Sequence, residues 1–375
     1  MIDQIKTQIN KSLAAFLEKI RREYKLHLVN PILFESIKDF TLRDGKRIRP
    51  ILLILSYKGY SSPDKKLSPA FYNAATCIEF LHNFMLIHDD IIDRSDLRRG
   101  KPTLHRLLGK AVKTKEPEKL GYNLSIVAGD IVYALAIDAF LSIQEAPQRK
   151  ERALKYFIQT AAFTAMGEFI DILHGVEAID KITEKDVFLN YTLKTARYTF
   201  ECPLVVGAIL AGAQDKDIKK ISQLGILIGQ AFQIQDDILG IFDSEKNIGK
   251  SILSDIVESK KTLLVCHAYH KLSAQKRKEF MDHFSKPQKS YADLLSIRKI
   301  FIASGSLEYG LRAIQLRVNQ SKKILNKLKM REVYRRQIES SLLNLFRHSD
   351  TIAQKNGVTI NRFEIQPSRG NQNIS

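Results

Sequence analysis

Three carboxylates crowd into His88-Asp89-Asp90-Ile91-Ile92-Asp93, at the end of an apolar run from Ala74 to Asp93. At ~100° per residue, His82, Leu86, Asp89 and Asp93 fall on one helical stripe, with Asp90 beside it. Carboxylates four residues apart repel each other unless a cation lies between them. All-oxygen ligation favours Mg²⁺, or Mn²⁺, over zinc, and Mg²⁺ usually shares its shell with substrate phosphates. A second cluster, Asp236-Asp237, closes the apolar run that holds Phe232, Gln233 and Gln235. Both clusters are trailed by cations: Arg98, Arg99 and Lys101 after the first, Lys250, Lys260 and Lys261 after the second.

Acid pairs facing cations suit a diphosphate: metals bridge carboxylates to its oxygens, while Arg and Lys neutralise the remaining charge. Gly45-Lys46-Arg47-Ile48-Arg49-Pro50 adds a third basic patch at an expected helix start, where phosphate binds readily. No GxxxxGK[ST] loop occurs, which disfavours an ordinary nucleoside triphosphatase.

These clusters need elements to carry them. Helical periodicity covers most of the 375 residues, and alternating apolar-polar runs are scarce, so the expected fold is all-α. Breaks near Pro31, Pro50, Pro63, Gly100 to Pro102, Pro117, Pro147, Lys246 to Lys250 and Pro287 delimit about ten helices. No stretch resembles a linker, so residues 1–355 read as one domain and 356–375 as a polar tail. A content of 44% hydrophobic and 27% charged residues is that of a soluble globular chain, and 18 Gly with 10 Pro excludes collagen-like sequence. Cys77, Cys202 and Cys266 are widely spaced and odd in number, which favours a reducing compartment over disulfides or zinc. With no signal-like start and no run of 18 apolar residues, the expected location is the cytoplasm. The net charge is +18, and residues 311–375 supply +9 of it (13 Lys and Arg against 4 Asp and Glu). That end reads as a solvated face, or as a transient membrane-surface contact; it lacks the interleaved aromatics of a nucleic-acid binder.

Taken in order, GKRIRP at 45–50, DDIID at 89–93, RRGKPT at 98–103, Gly129-Asp130, Lys194-Thr195, FQIQDD at 232–237, Lys250 and KKT at 260–262 resemble the trans-isoprenyl diphosphate synthases, or polyprenyl synthetases. The resemblance spans about residues 40–310 and is closest to the archaeal-type short-chain geranylgeranyl diphosphate synthases. It implies an all-α isoprenoid synthase fold of ten or more helices around a deep cavity, and a homodimer. The implied reaction joins isopentenyl diphosphate head-to-tail to an allylic diphosphate (dimethylallyl, geranyl or farnesyl). Carried onto this chain, Asp89, Asp90 and Asp93 on one wall and Asp236 and Asp237 on the other would hold about three Mg²⁺. Arg98, Lys194 and Lys260 would grip the allylic diphosphate, and Lys250 joins the substrate-binding set. Lys46, Arg49, His82 and Arg99 would bind isopentenyl diphosphate. Lys194, Thr195, Gln233 and Lys260 are the expected catalytic set, with Thr195 and Gln233 turning oxygen dipoles toward a carbocation.

Product length depends on what blocks the helix before Asp89. Phe84, about 7.5 Å below Asp89 along the axis, is the floor that the resemblance implies, whereas ideal helix geometry puts Met85 directly beneath Asp89; Leu81 completes the chain-length set. By resemblance this pattern suits a twenty-carbon product, with farnesyl diphosphate second. Three departures from the family stand out: Gly240 in place of a third aspartate, Ser259 in place of Gly, and Glu168 in place of a frequent Gln. A terpene cyclase would not need Lys46, Arg49 and Arg99, and a non-catalytic subunit would commonly lose an acidic cluster.

Overall fold

The computed structural model describes residues 1–65, 67–242 and 260–359. Helices α1 (Ile2–Glu23), α2 (Leu26–Val29), α3 (Pro31–Leu42) and α4 (Ile48–Tyr60) come first, followed by a 3-10 turn at Pro69–Tyr72. Helix α5 (Asn73–Ile92) runs into a hairpin, β1 (Leu97–Arg98) with β2 (Lys101–Pro102), and then α6 (Leu104–Gly109), α7 (Pro117–Leu141) and α8 (Pro147–Val176). After a 3-10 turn at Ile179–Lys181, α9 (Glu184–Asn190), a π-helix (Tyr191–Glu201) and α10 (Cys202–Ala211) form one unbroken rod. Helix α11 (Asp215–Phe242) precedes α12 (Leu263–Lys271), α13 (Ala274–Phe284), α14 (Tyr291–Ala303), α15 (Ser306–Leu325), α16 (Glu332–Leu345) and α17 (Arg347–Lys355). The fold is all-α, as the periodicity predicts, and among the described residues strand is confined to the hairpin.

The helices outnumber the expected breaks, because several ends carry no proline. Lys25, Gly212 and Gly305 each adopt positive φ at a helix boundary, which stops or starts a helix through the backbone alone. Conversely Pro50 breaks nothing. It is the third residue of α4, inside the first turn, where a missing N–H costs no intrahelical bond.

One apolar core runs through the described chain. Helix α1 contributes Ile5, Ile9, Leu13, Phe16, Leu17 and Ile20, an i, i+4 stripe, and Phe16 meets Phe80 of α5 edge-on at 5.5 Å. Helix α5 packs most extensively on α7, α11 on α15 and on the π-helix, and α4 on α10. By length and composition α7 could cross a membrane, contrary to the expectation that no segment could. Its buried side (Ala128, Val132, Leu135, Ala136, Ala139) is nonetheless part of the bundle core, and its exposed side keeps Leu124, Ile126 and Val127.

Two glycines decide how closely the walls of the central cavity approach. A Cβ at Gly167 of α8 would collide with the backbone nitrogen of Lys194, and one at Gly229 of α11 with Ala196. Both neighbours are backbone or short side chain, so neither can swing aside. Gly167→Ala is therefore expected to lower stability by about 1–3 kcal/mol through overpacking. Gly175→Ala, on the same helix with open space around it, should leave stability unchanged or raise it, by up to about 1 kcal/mol. Thermal denaturation of the pair measures the contrast.

Candidate active site

A cavity of about 830 Å³ lies among α5, α8, the π-helix and α11, with α4, α12, α13, α14 and α17 adding to its wall. Asp89 and Asp93 line it from α5, and Asp236 and Asp237 from α11. The two acidic clusters, separated by more than 140 residues in the chain, thus open onto one hollow. Lys46, Arg49, His82, Arg98, Lys194, Thr195, Gln233 and Lys260 also line it, together with Phe84 and Met85.

The hairpin brings Arg98 back onto α5. Its turn is Arg99-Gly100, with φ of +56° and +72°, the doubly positive geometry of a tight two-residue hairpin. Gly100 takes this freely, whereas Arg99 pays about 1–2 kcal/mol for it. Arg98 then donates from Nε to Asp90 Oδ1 at 2.8 Å and from Nη2 to Asp89 Oδ2 at 3.2 Å, with a further Nη2 bond to Asp90. Burial works against the Arg98 charge, but Asp90, Asp89 and Asp93 more than offset it and hold the guanidinium on. Asp90 does not line the cavity. Its carboxylate is buried and accepts from Arg98 through Oδ1, so it anchors that cation.

Lys194 rises from the π-helix into a nest of acids. Its Nζ donates to Asp171 Oδ2 at 2.6 Å and lies 2.9 Å from Glu168 Oε2 and 3.9 Å from Asp89 Oδ1. Burial alone would lower the Lys194 ammonium; Asp171, Asp89 and Glu168 reverse that and push it above the usual lysine range. Lys260 stands 3.8 Å from Asp93 Oδ2. Lys261 turns away and donates to the Gly175 carbonyl at 2.6 Å. Lys250 and Ser259 lie outside the described residues.

A relay fixes the α11 wall. The Thr195 hydroxyl donates to Gln233 Oε1 at 2.6 Å, and Gln233 Nε2 donates to Asp237 Oδ1 at 3.0 Å. The Tyr191 phenol completes it by donating to Asp237 Oδ2, its own pKa pushed far up by burial and by that carboxylate. The Gln233 oxygen, expected to face a carbocation, lines the cavity and accepts one hydrogen bond from Thr195; an amide oxygen has a second lone pair beyond it. Gln235, next to the pair, donates to the Leu345 carbonyl and accepts from Ser349, both at 2.7 Å, so α11 is tied to the chain end.

At the opposite mouth Arg49 donates to Tyr198 Oη (2.9 Å) and Thr199 Oγ1 (2.8 Å) and stacks 4.6 Å over the Tyr198 ring. Arg49 Nε and His82 Nδ1, both buried, have no hydrogen-bond partner among the described residues. Burial, then Arg49, Arg99, Arg98 and Arg47, drive the His82 pKa well below its usual value, so the ring is neutral at physiological pH. Arg99 is absent from the cavity wall. It packs over Gly45, 3.7 Å from Glu79 Oε1. Arg47, the other arginine of GKRIRP, is an interior ion-pair partner of the same Glu79, each side chain 2% exposed.

The donor set fits a hard divalent cation. Two carboxylates on each wall offer oxygen only, one turn apart on α5. Among the described residues no three His, Cys, Asp or Glu side chains converge tightly enough to cage an ion by themselves. The remaining coordination positions would fall to water and substrate oxygens, which is how Mg²⁺ usually binds.

Beneath Asp89 the cavity turns apolar. Phe84 packs 4.7 Å from His88 and 4.9 Å from Tyr133 of α7. His88, read from sequence as structural and without a partner, lies against Gly129 with Nε2 3.6 Å from Asp130. Leu81 is buried in the core and does not reach the cavity. Sequence reasoning missed Asp171, Tyr198, Phe169 and Ile172, and also His348, which lines the cavity from α17. Asp171 had a signal, a carboxylate one turn after Glu168; the others had none.

Comparison with known proteins adds the last observation. A family model described as polyprenyl synthetase matches residues 30–301. A geranylgeranyl diphosphate synthase from Saccharolobus solfataricus is 35% identical over 270 residues, covering 71% of this chain and 74% of its own. A geranylfarnesyl diphosphate synthase from Aeropyrum pernix is 31% identical over 291 residues, covering 76% and 84%. The crystal structure of a geranylgeranyl pyrophosphate synthase from Corynebacterium glutamicum, complexed with isoprenyl diphosphate and magnesium, superposes with a TM-score of 0.83 at 27% identity, covering 92% of this chain and 99% of that one.

The interior ion pair yields a test of its own. Arg47→Met should cost about 3–5 kcal/mol, because it strips Glu79 of its nearest countercharge in a buried position. Adding Glu79→Leu should recover most of that loss in urea denaturation.

Proposed function

The chain belongs to the polyprenyl synthetase family, a family of prenyltransferases, and from that premise we propose that it is a Mg²⁺-dependent synthase of geranylgeranyl diphosphate. The observation that carries this reading is the shared hollow: two aspartate pairs and a ring of cations at one end, apolar walls below.

Asp89, Asp93 and Asp236 would hold Mg²⁺, with Asp237 oriented beside them by Gln233 and Tyr191. When bound, the metal supplies Lewis-acid neutralisation of the departing diphosphate. Arg98, Lys194 and Lys260 take up the rest of that charge as the allylic C–O bond breaks. Phe84, Met85 and Phe232 keep water from the carbocation. Arg49 and Lys46 seat the isopentenyl diphosphate, and neutral His82 can hydrogen-bond it without adding charge. Its double bond attacks the cation, and the proton then lost passes to the released diphosphate.

Phe84, backed by Tyr133 and His88, is the floor that supports a twenty-carbon product. Phe84→Ala should shift products to longer chains; an unchanged chromatographic profile would remove it as the floor. Asp89→Ala and Asp236→Ala should each lower kcat by about a thousandfold or more without unfolding the chain, read by condensation of labelled isopentenyl diphosphate with each allylic primer.

The homodimer belongs to the same proposal. Leu124 and Val127 of α7 and Ile158, Met166, Phe169, Leu173 and Val176 of α8 are exposed apolar side chains, which a second copy would cover. Met166→Glu with Val176→Glu should halve the mass seen by light scattering.

A further inference from the structure

Glu168 lines the cavity, yet the reaction as described gives it nothing to do. It lies on α8 one turn before Asp171, with its side chain 20% exposed. Burial raises its pKa, the Lys194 ammonium lowers it, and Asp89 adds to the rise. Lys194 is thus held against α8 by two carboxylates on one helical face, while Asp89 faces it from α5. The partner of Glu168 in this arrangement is itself held fast. Asn190 donates to Asp171 Oδ1 at 2.7 Å, and Gly167 lets α8 close onto the Lys194 backbone. Both ends of the lysine are therefore set by α8.

An ammonium has three N–H donors, and one is spent on Asp171. The pull of Glu168 decides where the other two point. Without it, Lys194 is free to lean toward Asp89 and compete with whatever that carboxylate holds. With it, the charge stays on the α8 side and meets the diphosphate from there.

Resting on the prenyl-transfer reading, we infer that Glu168 is a positioning residue for Lys194 that also loosens the hold on released diphosphate. The loosening follows from sign. A carboxylate beside the lysine cancels part of the charge that grips the anion, whereas an amide of the same shape would not.

The test compares the full-length wild type with Glu168→Ala and Glu168→Gln. It measures kcat and both KM values, and the binding of inorganic diphosphate in excess Mg²⁺ by calorimetry. Glu168→Ala should lower kcat about tenfold or more with the isopentenyl KM unchanged, the signature of a displaced group that acts in the transition state. Glu168→Gln keeps an oxygen acceptor in place. It should restore kcat to within about threefold of wild type and bind diphosphate at least about fivefold more tightly. Wild-type kcat in Glu168→Ala, no recovery in Glu168→Gln, or unchanged diphosphate affinity in Glu168→Gln would each overturn the role given to Glu168. A wild type that binds no diphosphate and makes no prenyl product would instead overturn the reaction assigned to the site.

Discussion

Like charge held at close quarters governs this molecule. Asp89 and Asp93 stand one turn apart on α5, with Asp90 between them, and Asp236 and Asp237 look across from α11. Such an array is stable only beside cations, and the chain supplies three from three different places. Arg98 comes from a hairpin, Lys194 from the π-helix, and Lys260 from just before α12. Much of the architecture can be understood as the means of delivering those cations. The hairpin carries a strained Arg99, the π-helix widens a rod between two α-helices, and α8 leans in at Gly167.

The same constraint explains the fate of the remaining charges. Asp90 lies between two cavity-lining aspartates in the sequence, yet it is absent from the wall and fastens Arg98 through Oδ1. Arg47 stands between Lys46 and Arg49, which both line the cavity, yet it faces inward to Glu79. Successive residues project in different directions, on α5 through the helical turn and before α4 through the left-handed backbone of Arg47, so a run of like residues divides into those that face the cavity and those that brace it.

That division marks the limit of what the sequence could say. Helix α5 was legible almost to the residue, since its apolar stripe and acidic end coincide with Asn73–Ile92. The pairing of the two acidic clusters was legible too, because chemistry requires it whatever the topology. What could not be read was set by geometry with no local signature. The π-helix departs from the 3.6-residue period that every stripe argument assumes, and it is the element presenting Lys194, Thr195 and Tyr198. The engagement of Gln233 by Thr195, the absence of Arg99 from the wall and the arrival of His348 all depend on contacts between segments far apart in the chain. The helices beyond ten have a simpler cause: backbone reversals at Lys25, Gly212 and Gly305 bound helices without proline.

The tie between Gln235 and helices α16 and α17 bears on how the protein is made. Its two hydrogen bonds reach 110 and 114 residues ahead, so the α11 wall cannot be finished while the ribosome is still threading out those later helices. The first acidic wall and its hairpin can settle early during synthesis; the second must wait for α16 and α17. A nascent chain therefore carries half of its charge clamp until those two helices emerge, and the hollow is completed only after they have docked.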